Sequence, residues 1–306
     1  MIVLAATPLV VGVLAGLLGG RLGRRLQPRH AVPLLTGLAL TVAVCTGIAL
    51  SGLAVLALAQ LGPISRLGHW SAHVLRADAG EPLALGLVAL VAVVAILGAT
   101  LVRALGSIYA LSRAAYHARR LVPAAGNLVL VDDTEPVAYV VAGRIVMSRS
   151  LLAELPTDER RAVLAHEAAH VRHRHHLYVH LTAMSAAANP LLRPLVRAIG
   201  VGIERWADEE AAGAVRSREV TARGLARAAL ARDRTPALAR SRTPGLAATD
   251  SAVAERVRAL LDPAPVCRLP AALVFAGGLA CWLAAAAVTW RTDELIQIAE
   301  RALLRR

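Results

Sequence analysis

Lysine is absent from this sequence, and aromatic residues are scarce. The 306 residues include 34 Lys+Arg, all of them arginine, and Phe occurs once and Tyr four times. Without lysine the chain has no Schiff-base nucleophile and no Ser-x-x-Lys acylation site. Recognition of nucleic acid by base stacking is not expected from so few aromatic rings. We therefore predict no direct nucleic-acid binding, despite a net charge of +13.

Cysteine is nearly absent as well. The chain has three cysteines, and no two of them have the CxxC spacing. Cys45 and Cys281 fall inside apolar runs, and Cys267 lies just before one. The sequence therefore indicates neither a disulfide framework nor a cysteine zinc site.

Long apolar runs dominate what remains. Hydrophobic residues make up 57% of the chain and the mean hydropathy is +0.56, which is too apolar for an ordinary soluble domain. Four runs approach or exceed the roughly 20 residues that cross a bilayer. They cover about 2–19, 33–60, 82–102 and 269–290. We expect an α-helical integral membrane protein with four transmembrane helices embedded in a lipid bilayer.

The arginines predict the orientation and the domains. The 20–32 loop holds Arg21, Arg24, Arg25 and Arg29, whereas the arginines of the 62–81 loop are offset by acidic residues. By the positive-inside rule, the first loop is cytoplasmic and the second external. We expect three helices in 1–109, a cytoplasmic domain in 110–265, and the fourth helix with a short external tail in 266–306. The Ala- and Arg-rich composition favours a bacterial plasma membrane.

The predicted cytoplasmic domain has an α+β pattern. Short β-branched runs at 128–132, 137–141 and 145–148 predict strands. Thr157 is expected to cap a helix that continues through the His-rich segment. The apolar stretch 177–199 is expected to form a hairpin that turns at Asn189-Pro190, packed on the domain or dipping into the membrane interface. Gly12, Gly16 and Gly20 have a spacing that permits close helix packing.

The predicted helix carries the HExxH pattern at 166–170. Residues four apart lie on one face of a helix, so His166 and His170 can bind one Zn²⁺. Glu167 is then placed as the catalytic base that takes a proton from a zinc-bound water, which attacks a peptide carbonyl. This chemistry is that of a zinc-dependent endopeptidase with one zinc per chain.

A third ligand must come from another segment. His176 would require a helix break at position 173, where other proteases have glycine and this chain has His173. Glu204 begins an ExxAD pattern on a second predicted helix and is the better candidate. Asp208, one turn later, is placed to orient a ligand imidazole. Four further histidines are expected to be solvated or near lipid headgroups rather than ligands: His173, His175, His176 and His180.

These segments resemble the BlaR/MecR-type membrane gluzincin peptidases, and more distantly the HtpX type. The resemblance lies in IVMSRSLLAEL, AVLAHEAAHVRHRHH, NPLLRPL and ERWADEEAA, together with four membrane helices in the same order. It implies a zincin fold, His166, His170 and Glu204 as zinc ligands, and Glu167 as the catalytic residue. It also implies that an extended substrate joins an edge strand, for which 137–141 is the candidate.

The resemblance further implies a protein or peptide substrate and a role in signal transduction. In BlaR/MecR-type proteins the target is typically a cytoplasmic winged-helix repressor. The antibiotic-sensing members carry a penicillin-binding domain that acylates through Ser-x-x-Lys, and we expect this chain to lack it. Two alternatives remain: an HtpX-like protease for quality control of membrane proteins, and a non-catalytic signalling protein stabilised by zinc.

Overall fold

The computed structural model describes residues 1–79, 82–133, 135–233, 247–262 and 269–304. Four of the described helices are long and apolar enough to cross a bilayer. They are α1 (Ile2–Arg25), α2 (Pro28–Ala59), α5 (Leu83–Arg119) and α12 (Leu269–Leu304). Each predicted apolar run coincides with one of them, which confirms the prediction of four candidate membrane helices.

Two of these helices extend well beyond their apolar runs. Helix α5 continues past position 110, where we expected the domain to begin, and α12 includes the predicted tail. Two short helices follow α2: α3 (Gly62–Leu67) and α4 (Ala72–Ala79). The end of α12 packs beside α4, and Ser71 N–H donates to the Ala299 carbonyl over 3.1 Å. The tail and residues 71–79 therefore lie at the same end of the helix bundle.

Three strands form the small sheet at the positions expected from the sequence. They are β1 (Leu128–Val131), β2 (Ala138–Val141) and β3 (Arg144–Ser148). The order is β1-β3-β2, with β1 parallel and β2 antiparallel to β3. Ala142 and Gly143 connect β2 to β3 and both have positive φ, which is typical of a two-residue type I′ hairpin turn. Strand β2 is thus at an edge of the sheet.

Helices make up the rest of the described domain. They are α6 (Arg149–Glu154), α7 (Thr157–Arg172), α8 (His175–Ala188), α9 (Arg193–Val215), α10 (Arg218–Asp233) and α11 (Ala247–Leu261). A 3₁₀ turn, Pro190–Leu192, joins α8 to α9. Helices α7 and α9 pack against each other, and α10 packs on α6, α7, α9 and α11. The pairing of α7 with α9 brings the two predicted ligand segments together.

Both ends of α7 differ from the expectation. Thr157 is the first helical residue rather than the cap, and Pro156 occupies the cap position without a side-chain hydrogen bond. The helix does not continue through the His-rich segment, because Arg174 has a left-handed backbone with φ of +50°. Such a conformation costs a non-glycine residue on the order of 1 kcal/mol. The break turns His175 into the protein interior, where the residue is 1% exposed.

Helices α8 and α9 form the predicted hairpin, and its tip lies between α1 and α2. The turn is at Asn189, whose side-chain amide donates to Thr46 Oγ1 on α2 over 3.2 Å. On α1, Gly12 and Gly16 face this tip, and a Cβ at Gly19 would lie 2.6 Å from Leu195 Cδ1. The third small residue of the stripe is therefore Gly19 rather than Gly20. The hairpin packs on the membrane helices as well as on the domain.

Candidate metal centre

Two helices hold the three predicted metal ligands close together. His166 and His170 lie one turn apart on α7, and their Nε2 atoms are 3.2 Å apart. Glu204 on α9 places Oε2 3.6 Å from His166 Nε2 and Oε1 3.8 Å from His170 Nε2. One ligand atom from each residue lies within 4.8 Å of the others, and this is the group of metal-ligating side chains found among the described residues.

The separations fit a zinc ion. Two imidazole nitrogens bound to one zinc at about 2.0–2.1 Å in a tetrahedral arrangement are about 3.3 Å apart. The His166 to His170 distance of 3.2 Å agrees with this value, and the carboxylate of Glu204 is only slightly farther away. Two histidines and one carboxylate leave a fourth position open, as in catalytic rather than structural zinc sites.

Glu167 lines the same cleft as the three ligands. Glu167 is only 8% exposed, and Arg256 lines the cleft with it. The cleft has a volume of about 490 Å³, within the range of substrate and ligand pockets. A buried carboxylate beside two imidazoles that face each other is an arrangement suited to proton transfer at a bound metal.

Asp208 contacts the rear of the first ligand ring. Its Oδ1 lies 3.0 Å from His166 Nδ1, which favours the tautomer with the proton on Nδ1 and leaves Nε2 for a metal. Burial opposes ionisation of this carboxyl, but contacts with Arg256 and His166 outweigh burial and lower its pKa to about 2. Asp208 is therefore a buried carboxylate at neutral pH, in the position proposed from the sequence.

Arg256 on α11 joins Asp208 to Glu204. Its Nε and Nη2 donate to the two carboxylate oxygens of Asp208 over 2.8 and 2.6 Å, and its Nη1 lies 3.0 Å from Glu204 Oε2. A planar guanidinium is suited to this two-pronged contact. Sequence reasoning missed Arg256, because no pattern separates it from the neighbouring Arg258 among so many arginines.

His175 is the second residue that sequence reasoning misplaced. It is 1% exposed, so the expectation of a solvated side chain is wrong. Its Nδ1 lies 3.0 Å from His170 Nδ1, and its ring packs against Trp206 with centroids 4.9 Å apart. Burial, followed by the charges of neighbouring histidines, lowers the pKa of His175 to about 3, and the ring is neutral near pH 7. A neutral ring can accept a hydrogen bond from His170 Nδ1–H through its own Nδ1, which leaves His170 Nε2 free for a metal.

The other three histidines have different environments. His173 is partly buried and stacks on Trp206 with ring centroids 4.6 Å apart. His176 is exposed, His180 is partly buried, and both line the cleft on α8. None of the three belongs to the metal-ligating group of the described residues. The break at Arg174 thus does not bring His176 to the metal centre.

Strand β2 forms another wall of the cleft. Ala138, Tyr139 and Val140 line it opposite residues of α8 and α10. Within the described residues the outer edge of β2 pairs with no other strand. An extended peptide could therefore pair with the backbone of Val140 beside the predicted ligands.

The site and the family comparison agree. A His-His-Glu group in a cleft with a buried glutamate has the composition of a metallopeptidase centre. The model of peptidase family M48 matches residues 110–264, which is half of the chain. The chain belongs to peptidase family M48. Its membership indicates a metallopeptidase that acts on proteins, and zinc dependence is implied by the family. No curated protein and no solved structure matches the chain.

Proposed function

We propose that this chain is a membrane-embedded zinc endopeptidase with its peptidase domain in the cytoplasm of a bacterial cell. The convergence of His166, His170 and Glu204 beside the buried Glu167 carries the proposal. Zinc, when bound, would polarise the peptide carbonyl and make water acidic enough to lose a proton near neutral pH. His166, His170 and Glu204 hold one ion, and Asp208 and His175 orient the two imidazoles.

Glu167 moves the proton in the proposed reaction. It accepts a proton from the attacking water and then returns it to the amine nitrogen released when the peptide bond breaks. A non-catalytic zinc protein would need the ligands but would not need a buried glutamate in the same cleft. The position of Glu167 therefore supports the enzyme over the zinc-stabilised signalling alternative.

The outer edge of β2 at Val140 supports an extended substrate. Backbone pairing with Val140 would lay a peptide across the mouth of the metal centre without demanding particular side chains. The winged-helix repressor and the signalling role follow only from the BlaR/MecR resemblance. They remain predictions, and so does the cytoplasmic orientation, which depends on the arginine asymmetry.

The experiment measures zinc and cleavage together on the purified full chain in lipid nanodiscs. The wild type should hold about one zinc and cleave an unfolded protein such as β-casein. Glu167→Gln should keep the zinc and lose about 10²- to 10⁴-fold in rate. Glu219→Gln is the matched control, because Glu219 is 71% exposed on α10 and pairs with Arg223. Equal cleavage by wild type and Glu167→Gln would reject the proposed role of Glu167.

The ligand assignment has its own variants. His166→Ala, His170→Ala and Glu204→Ala should each lose zinc, since three side chains hold the ion. His176→Ala should retain it. If Glu204→Ala kept both zinc and activity while His176→Ala lost both, the third ligand would be His176 instead of Glu204.

A further inference from the structure

The hairpin of α8 and α9 reaches deep between the membrane helices. Its tip residue Asn189 contacts Thr46 on α2, and the side-chain nitrogen of Asn189 would be 3.4 Å from a Cβ at Gly12 on α1. Gly12 is in the middle of the apolar run of α1. The contacts with α1 and α2 on either side of the tip thus place the tip about halfway through the bilayer core, which is about 30 Å thick.

The metal centre is at the other end of the hairpin, at the level where the apolar runs end. Near Glu204, a Cβ at Gly202 would lie 3.1 Å from Val32, and Arg205 Nη1 is 3.5 Å from the Gly23 carbonyl. Gly23 follows the apolar run of α1 by four residues, or about 6 Å of helix, and lies among the arginines of the 20–32 loop. This level corresponds to lipid headgroups.

Helix α8 presents one side to the cleft and another to lipid. Val179 lines the cleft and is 48% exposed, and the neighbouring Leu177 and Leu181 are 44% and 38% exposed. Leu181 follows His175 by six residues, or about 9 Å toward the membrane interior. Arg193 and Arg197 at the start of α9 are exposed and long enough to reach headgroups. The wall of the cleft therefore continues into the lipid-facing surface.

We infer that the substrates are membrane-anchored polypeptides cut close to the bilayer, in the segment that follows a transmembrane helix. This inference rests on the proposed peptidase function and names its substrate class. An extended chain advances about 3.3–3.6 Å per residue, so a cleft at headgroup level first meets the residues next to the membrane. The scissile bond falls within about ten residues of the apolar segment. The scissile bond of a soluble cytoplasmic repressor would not have to lie near a membrane segment. Cleavage of such a repressor is the competing outcome.

The first experiment compares free N-termini in cells that carry the wild-type chain and cells that carry Glu167→Gln. New N-termini that depend on Glu167 should lie in membrane proteins, within about ten residues of a transmembrane segment and on the side of the peptidase domain. Glu167-dependent cuts in soluble proteins, or spread evenly along long soluble tails, would overturn the inference and leave the peptidase function intact. A complete absence of Glu167-dependent cuts would instead reject the proposed function.

A second experiment tests the depth of α8 without using activity. A cysteine probe is introduced by Leu181→Cys, and a matched probe by Leu230→Cys on α10, where Leu230 is 55% exposed. Both variants also carry Cys267→Ser, and the native Cys45 and Cys281 are fully buried. A thiol-reactive fluorophore is attached to each introduced cysteine. In vesicles with nitroxide-labelled lipids, the fluorophore at position 181 should be quenched several-fold more than the fluorophore at position 230. Equal quenching would place the hairpin outside the bilayer and overturn the inference.

Discussion

Replacing Val140 with proline should impair cleavage and leave zinc binding unchanged. Ser148 N–H donates to the Val137 carbonyl over 2.9 Å, so residues 137 and 148 form a hydrogen-bonded pair. Pairs of this kind alternate along an antiparallel ladder, and the register makes Tyr139 and Val146 the next one. The N–H of Val140 therefore points away from β3, toward the outer edge of the sheet that we propose for substrate.

The magnitude follows from one lost backbone hydrogen bond. A net contribution of about 0.5–1.5 kcal/mol corresponds to about a 2- to 13-fold fall in kcat/KM. The proline ring also occupies space on the substrate edge, so the lower end of this range is a minimum. Tyr139→Pro is the matched comparison, because it removes a bond within the sheet, where proline is poorly tolerated. It should destabilise the domain and reduce zinc content.

The assay measures kcat/KM toward a cleaved substrate and zinc content on the same preparations. Val140→Pro should retain about one zinc per chain with reduced kcat/KM, and Tyr139→Pro should lose both. If Val140→Pro lost zinc together with activity, strand β2 would support the fold instead of the substrate. If Val140→Pro were fully active, substrate would not pair with this edge.

Two further predictions concern the metal centre and the topology. Arg256→Met leaves the buried carboxylate of Asp208 without its guanidinium partner, so zinc affinity measured by chelator competition should fall about 10- to 100-fold. Arg258→Met, on the exposed side of α11, should stay within about twofold, and equal losses in both variants would contradict the role of Arg256. Reporter fusions near residues 65 and 240 should report opposite sides of the membrane, whereas two reporters on one side would exclude the four-helix topology.

The three metal ligands could be predicted from the sequence because their placement depends on the local periodicity of helices. A spacing of four places His166 and His170 on one face of any helix, and the ExxAD pattern pointed to Glu204. The strands could also be predicted from the sequence, since short β-branched runs bounded by residues such as Gly143 are typical of strands. The structure brings these residues together, and their catalytic roles remain predictions until the variants are measured.

The missed features depend on contacts between distant parts of the chain. The burial of His175 requires the break at Arg174 and the ring of Trp206, and neither is encoded in the spacing of the histidines. The role of Arg256 depends on how α11 packs beside α9. Gly19 rather than Gly20 faces Leu195 of α9, and the spacing of glycines in α1 does not determine which side of α1 meets α9.

The hairpin also means that the segment matched by the family is not an independent folding unit. Leu192, Leu195 and Ile199 are almost completely buried in a cluster that includes Val32 and Leu35 of α2. Expressing residues 110–264 alone would remove α1, α2 and α12 and expose these apolar side chains to water, at about 25 cal/mol for each Å². A water-soluble fragment of this peptidase would therefore need a new surface on α8 and α9, and the intact chain in a bilayer is the natural material for biochemical study.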